Sequence, residues 1–179
     1  QMGYVLLGVA VATPLALVGA LFHMVNHAAF KELFFFGAGS VEKQAGTRTI
    51  ASLGGLNSRM PITGVTSAIG FFSVSGCPPF SGFWSKLIII VAAIQAGYVG
   101  FAVVAALGAV VTIGYFLKYE LGVFFGALPG NLTDVREGPV SMWAPMVLMA
   151  VFCVALGLAF PWVIEYLLEP AVSAVMLGA

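Results

Sequence analysis

The sequence has few charged residues, few cysteines and no nucleotide-binding fingerprint. Only 8% of its 179 residues are charged, and seven basic side chains balance seven acidic ones. This balance argues against a nucleic-acid partner, because proteins that bind nucleic acids present a basic surface. Cys77 and Cys153 form neither a CxxC pair nor a metal-ligand cluster, so we interpret both as packing residues. Because nucleophile elbows, phosphate loops and dinucleotide motifs are also missing, we predict no cofactor and no metal.

Long apolar runs dominate the sequence instead. Hydrophobic residues make up 61% of the chain, and the mean hydropathy is +1.07. One soluble core could not bury this much apolar surface. The runs are continuous for about 20 residues, which suits helices that cross the bilayer and not the alternating strands of a barrel. We therefore predict an all-α, polytopic integral membrane protein.

The predicted helices form a single transmembrane domain over residues 1–179. The first apolar segment is too short to span a bilayer and the chain opens with Gln1, so we expect it to belong to a longer sequence. Thr13-Pro14 is typical of a helix start, and the basic loop 41–60 is predicted to be cytoplasmic. The predicted elements are a truncated helix (2–12), a His/Lys helix (14–39), a broken helix (61–96), helices at 98–118 and 140–160, and an interfacial tail (161–179).

A polar stripe runs along the second predicted helix. His23, His27 and Lys31 recur every fourth residue, which places them on one helix face. Ionisable groups at membrane depth usually face a protein interior or a water-filled path, and burial favours release of a lysine proton. We interpret the stripe as a proton relay; the alternative is a structural lysine paired with a carboxylate. Two histidines on one face cannot be opposite ligands of one haem iron.

The segment 61–96 is too long for one straight helix across the bilayer. Gly76, Pro78, Pro79 and Gly82 predict an interruption between residues 73 and 82. Because each proline lacks an N–H, the carbonyls of Val74 and Ser75 would have no helical partners. Such open backbone at membrane depth is typical of a helix that lines a cavity.

Lys86 follows this interruption directly. We favour a role in ion transfer, with a snorkelling lysine as the alternative. Secondary candidates are Glu32, which adjoins Lys31, and the pair Lys118 and Glu120, for which we favour a role as interface anchors.

Four segments together resemble one protein family. QMGYVLLG, HMVNHAAFKELFFFGAGSV, GTRTIASLGGLNSRMPIT and SGCPPFSGFWSKL are similar, in order, to the second half of antiporter-like subunits. Such subunits occur in complex I, Mrp-type Na+/H+ antiporters and energy-converting membrane-bound hydrogenases. The resemblance is strong over residues 1–90 and extends to the remainder only in its helix pattern.

The resemblance implies the second of two inverted five-helix repeats, with translocation of H+ and possibly Na+. It implies that Lys31 is the central lysine of a hydrophilic axis, that His23 and His27 extend this axis, and that Lys86 passes protons toward the exit. The first repeat and other hydrophobic subunits would be partners in a bilayer, expected to be a prokaryotic inner membrane. We favour a hydrogenase or complex I-like module over an Mrp antiporter, and the alternative to transport is a non-conducting structural piece.

Overall fold

The computed structural model describes residues 1–177, and these residues form helices and connecting loops without strands. The helices are α1 (Met2–Val11), α2 (Pro14–Ala45), α3 (Pro61–Ser75), α4 (Ser81–Gln95), α5 (Val99–Phe124), α6 (Val140–Leu158), α7 (Phe160–Val163) and α8 (Glu169–Leu177). A π-helical turn, Ile164–Leu168, joins α7 to α8. The predicted all-α bundle with a discontinuous helix is confirmed.

Helix α2 is the centre of the bundle and packs against α1, α3, α4 and α6. It begins as the sequence predicts, because the Thr13 hydroxyl accepts a hydrogen bond from the Ala16 amide at 3.2 Å. It continues to Ala45, beyond the predicted end at residue 39, and stops where Gly46 adopts a φ of +68°. Neither Gly37 nor Gly39 ends it, since both keep helical conformation.

Three helical segments of the described chain are long and apolar enough to cross a membrane: Val99–Phe124, Val140–Leu158 and Phe160–Leu177. The first extends past the predicted boundary at residue 118, so its polar residues do not terminate the helix. The last coincides with the predicted interfacial tail, whose residues 178–179 lie outside the described part. Its Leu168 and Val172 pack against Val18 and Phe22 of α2. An interfacial position for this tail therefore stays a prediction.

Two buried apolar clusters define the interior around α2. One joins α2, α3 and α6 through residues that include Phe30, Leu33, Val74 and Met146. The other lies at the end of the bundle where the loops 46–60 and 125–139 meet α2 and α5, and it includes Val41, Leu56, Met60, Phe124 and Leu132. We call this second cluster the loop lid.

Candidate functional site

The interruption predicted between residues 73 and 82 is present. Helix α3 ends at Ser75, where Gly76 adopts a φ of +79°. The amide of Cys77 donates to the Phe72 carbonyl at 3.0 Å, and the Gly76 amide donates to the Ser73 carbonyl at 3.2 Å. These two bonds close the helix as a glycine-terminated cap does. Helix α4 then begins at Ser81, after the two prolines.

Glycines allow the ends of the two half-helices to pack closely. A Cβ on Gly82 would overlap the Ser73 carbonyl oxygen, so the first turn of α4 lies directly beside the last turn of α3. A Cβ on Gly157 of α6 would lie 2.7 Å from the Ser81 amide nitrogen and 2.9 Å from the Phe80 carbonyl carbon. The backbone of α6 therefore packs directly against the backbone of the break and supports it.

Lys86 lies inside this break. Its side chain is buried, with 4% exposed, and Nζ donates a 2.6 Å hydrogen bond to the Val74 carbonyl. This is one of the two carbonyls that the sequence predicts to lack a helical partner. Nζ also lies 5.1 Å from the centre of the Tyr4 ring on α1. The ammonium thus stays in the interior of the described chain and does not snorkel to its surface.

Helix α2 fixes the start of α4 through two polar side chains. His23 Nδ1 and the Ser85 hydroxyl are 2.9 Å apart, and both residues are buried. The Asn26 amide donates to the Ser81 carbonyl at 3.0 Å. The sequence interpretation omitted Asn26, although an amide side chain three residues after His23 in an apolar helix is itself a signal.

The remaining stripe residues face a different space. His27 and Lys31 line an open cavity of about 630 Å³, bounded by α2, by the start of α1, and by α3 and α5. The stripe therefore runs from buried His23, through half-buried His27, to exposed Lys31. The Lys31 ammonium lies 5.6 Å from the Phe35 ring, and much of the lining is aromatic. Val74 belongs to both sites, since it lines the cavity and its carbonyl binds Lys86.

The secondary candidates divide into exposed and buried residues. Glu32 and Lys118 are exposed on the described chain. Glu120 is 3% exposed, and the Ser67 hydroxyl donates to its Oε1 at 2.5 Å. The expectation of an interface anchor is therefore wrong for Glu120, because its carboxylate packs between α5 and α3. This pairing joins residues 53 positions apart, so sequence spacing could not have indicated it.

A broken helix that holds a buried lysine and is braced by its neighbours is an arrangement typical of membrane transport proteins. The chain belongs to the NADH:quinone oxidoreductase/Mrp antiporter transmembrane family, whose model matches residues 1–112. This confirms the family resemblance inferred from the four sequence segments.

Known relatives come from more than one branch of the family. The chain is 36% identical over 173 residues to a subunit of the Na(+)/H(+) antiporter of Bacillus subtilis (strain 168), and the match covers 89% of this chain and 22% of that protein. It superimposes with a TM-score of 0.88 and 28% identity on a chain of the Mrp complex from Dietzia sp. DQ12-45-1b, covering 97% of this chain and 40% of that one. For respiratory complex I from Thermus thermophilus the TM-score is 0.84 at 25% identity, with 97% and 36% covered.

The chain therefore spans less than half the length of these relatives, and its structural neighbours are multisubunit membrane complexes. Similarity to both Mrp and complex I structures leaves our preference for a complex I-like or hydrogenase module a prediction.

Proposed function

We propose that the chain forms part of an ion-translocating membrane protein in which Lys86, His23, His27 and Lys31 relay protons. The observation that carries the proposal is the Lys86 ammonium, which is buried in the helix break and bound to a backbone carbonyl. No carboxylate oxygen of residues 1–177 lies within 4.0 Å of it. Because a buried ammonium without a counter-charge is costly, this lysine can release its proton and take it back.

Neighbouring groups extend the relay in two directions. Ser85 precedes Lys86 and shares a hydrogen bond with His23, whose other ring nitrogen is buried without a partner in the described chain. In the other direction, Val74 accepts the Lys86 hydrogen bond and also lines the cavity of His27 and Lys31. A neutral imidazole carries one N–H donor and one acceptor nitrogen, so both directions contain groups suited to transfer.

Sodium is the second candidate ion. The name of the Bacillus subtilis relative describes Na+/H+ exchange, and the present chain shares more than a third of its aligned residues with that protein. We therefore propose that transport be measured with and without Na+. A gradient that forms equally well in sodium-free medium would assign the activity to protons alone.

The chain is proposed to work within a larger membrane complex. Helix α5 presents apolar side chains that are more than half exposed, including Val104, Leu107, Val110 and Val111. Lipid and other hydrophobic subunits, among them the helices of the first repeat, would cover this face in a prokaryotic inner membrane. Co-purification with other hydrophobic chains tests this part, and a monodisperse chain that transports ions alone would contradict it.

The relay is tested in vesicles that contain the complete complex. We expect Lys86→Ala and Lys31→Ala to lower the rate of ion-gradient formation by about 100-fold, the scale of a lost acid-base group. Lys86→Glu should be milder, since a carboxylate also carries a proton. Lys43→Ala is the matched control, because Lys43 is exposed on the same helix as Lys31. Full gradient formation by both alanine variants would favour a non-conducting structural piece.

A further inference from the structure

We propose that Glu120 binds a transferable proton and connects the Lys31 cavity with the loop end of the bundle. The inference rests on the proposed function, because Glu120 would connect the proposed relay to the protein surface at a second place. It concerns a group that contacts α3 at Ser67, about two helical turns before the break around Lys86. The route consists of Tyr119, Glu120, Ser67, Thr63 and Glu137.

The surroundings of the Glu120 carboxyl group favour its protonated form. Its Oε1 accepts the Ser67 hydroxyl, and its Oε2 is buried without a hydrogen-bond partner in the described residues. Over the same residues, no lysine, arginine or histidine nitrogen lies within 4.0 Å of either oxygen. A buried carboxyl group without a cation favours its neutral form, which holds a proton that it can give up.

Tyr119 connects this carboxyl group with the cavity. It precedes Glu120 on α5 and lines the cavity together with His27 and Lys31. Its hydroxyl is buried without a hydrogen-bond partner in the described chain, although it lies near Ser67. A hydroxyl both donates and accepts, so it can transfer a proton between the cavity and the Ser67–Glu120 pair.

A row of hydroxyl groups on α3 leads from Glu120 toward the loops. Ser67 and Thr63 are four residues apart and therefore lie on one helix face, with Cβ atoms about 5–6 Å apart. A water-mediated hydrogen bond spans such a distance. The Thr63 hydroxyl donates to Glu137 Oε1 at 2.5 Å and lies 3.5 Å from the Ser40 hydroxyl. Each hydroxyl accepts one proton and releases another, so neither Ser67 nor Thr63 accumulates charge.

The loop lid covers the end of the bundle toward which this row leads. Leu56, Met60, Phe124 and Leu132 are nearly fully buried there and pack over the ends of α2 and α5. Apolar packing of this kind keeps bulk water from the carboxyl group. Glu137 is half-buried in the loop between α5 and α6, where it can exchange protons with the surface.

The test uses the complete complex in vesicles and three variants of this chain. We expect Glu120→Gln, which keeps size and hydrogen-bond acceptor, to lower proton-gradient formation at least tenfold, and Glu120→Asp to recover part of the rate. Glu165→Gln is the matched control, since Glu165 is exposed on the last helical segment. Infrared difference spectra at neutral pH should show a protonated carboxylic acid band that Glu120→Gln removes and Glu165→Gln retains.

The outcomes separate this inference from the proposed function. If Lys86→Ala abolishes transport while Glu120→Gln pumps normally, the relay stands and the Glu120 route is refuted. An infrared spectrum unchanged by Glu120→Gln would also overturn the inference, because the carboxyl group would then be ionised. If both Lys86→Ala and Glu120→Gln pump normally, the proposed function fails together with this route. Loss of the protonated band with loss of pumping supports the inference.

Discussion

The close contact between α6 and the helix break makes Gly157→Ala an informative perturbation. The added methyl group would lie 2.7 Å from the Ser81 nitrogen and 2.9 Å from the Phe80 carbonyl carbon, and it would overlap the Pro79 carbonyl oxygen. All three neighbours are backbone atoms, so no flexible side chain can move aside. Ordinary contact begins near 3.4 Å. The Ser81 nitrogen alone therefore requires the break to shift by about 0.7 Å from α6, and the closer Pro79 oxygen requires a larger shift.

The energetic cost follows from two opposing effects. Overpacking an ordered interior costs about 1–3 kcal/mol, whereas replacing a helical glycine by alanine contributes up to about 1 kcal/mol of stability. With three backbone neighbours we expect the upper part of the overpacking range, and a net destabilisation of about 2 kcal/mol. The shift would also disturb the Ser81 carbonyl, which the Asn26 amide binds at 3.0 Å, and with it the start of the helix that carries Lys86.

Detergent or thermal unfolding of the purified complex measures this effect, with gradient formation in vesicles as the functional assay. Gly114→Ala on α5 is the control, because a Cβ there meets no atom within 4 Å. This control should be neutral or slightly stabilising. Equal stability and equal transport of the two variants would show that α6 does not support the break.

Two further substitutions test contacts that hold α3 and α4 in place. Asn26→Leu should remove the side-chain donor to the Ser81 carbonyl, which as the first carbonyl of α4 keeps its helical partner, so the cost is that of one hydrogen bond, about 0.5–1.5 kcal/mol. The unfolding midpoint and transport should fall together. Met24→Leu, at an exposed site on the same helix, should change neither, and an unaltered midpoint for Asn26→Leu would contradict the contact. Glu137→Gln should weaken the cap that its carboxylate forms on the Ile62 and Thr63 amides at 2.8 and 3.2 Å, because charged acceptors bind the first amides of a helix more strongly. Hydrogen exchange should then accelerate at these two amides relative to the far end of α3, and unchanged protection would refute the cap.

The sequence predicts those parts of the fold that depend on local chemistry. Proline and glycine act on their own backbone, so the start at Thr13-Pro14 and the interruption after Ser75 could be located from the residues alone. The end of α2 could not, because Gly37 and Gly39 remain helical within a packed bundle and the helix continues to Gly46. Tertiary contacts there outweigh the low helix propensity of glycine.

The residues of the predicted site lie in two different environments, which their spacing in the sequence does not indicate. A period of four places His23, His27 and Lys31 on one face, but it does not determine which neighbour covers each residue. Helix α4 covers His23, whereas Lys31 faces the open cavity. Contacts across long separations were also beyond prediction, including the Ser67 bond to Glu120 and the Glu137 cap on α3.

The break and the buried lysine depend on each other. Ending α3 at Ser75 frees the Val74 carbonyl, and an unpaired carbonyl in an apolar interior is costly. The Lys86 ammonium donates a hydrogen bond to that carbonyl. Among the described residues, the same carbonyl is the acceptor within hydrogen-bond distance of the ammonium. When Lys86 becomes neutral, its amine remains a donor but the charge-assisted part of the bond is lost. The protonation state of Lys86 therefore alters the strength of the contact between the two half-helices, and in the proposed relay this would couple proton transfer to the packing of the break.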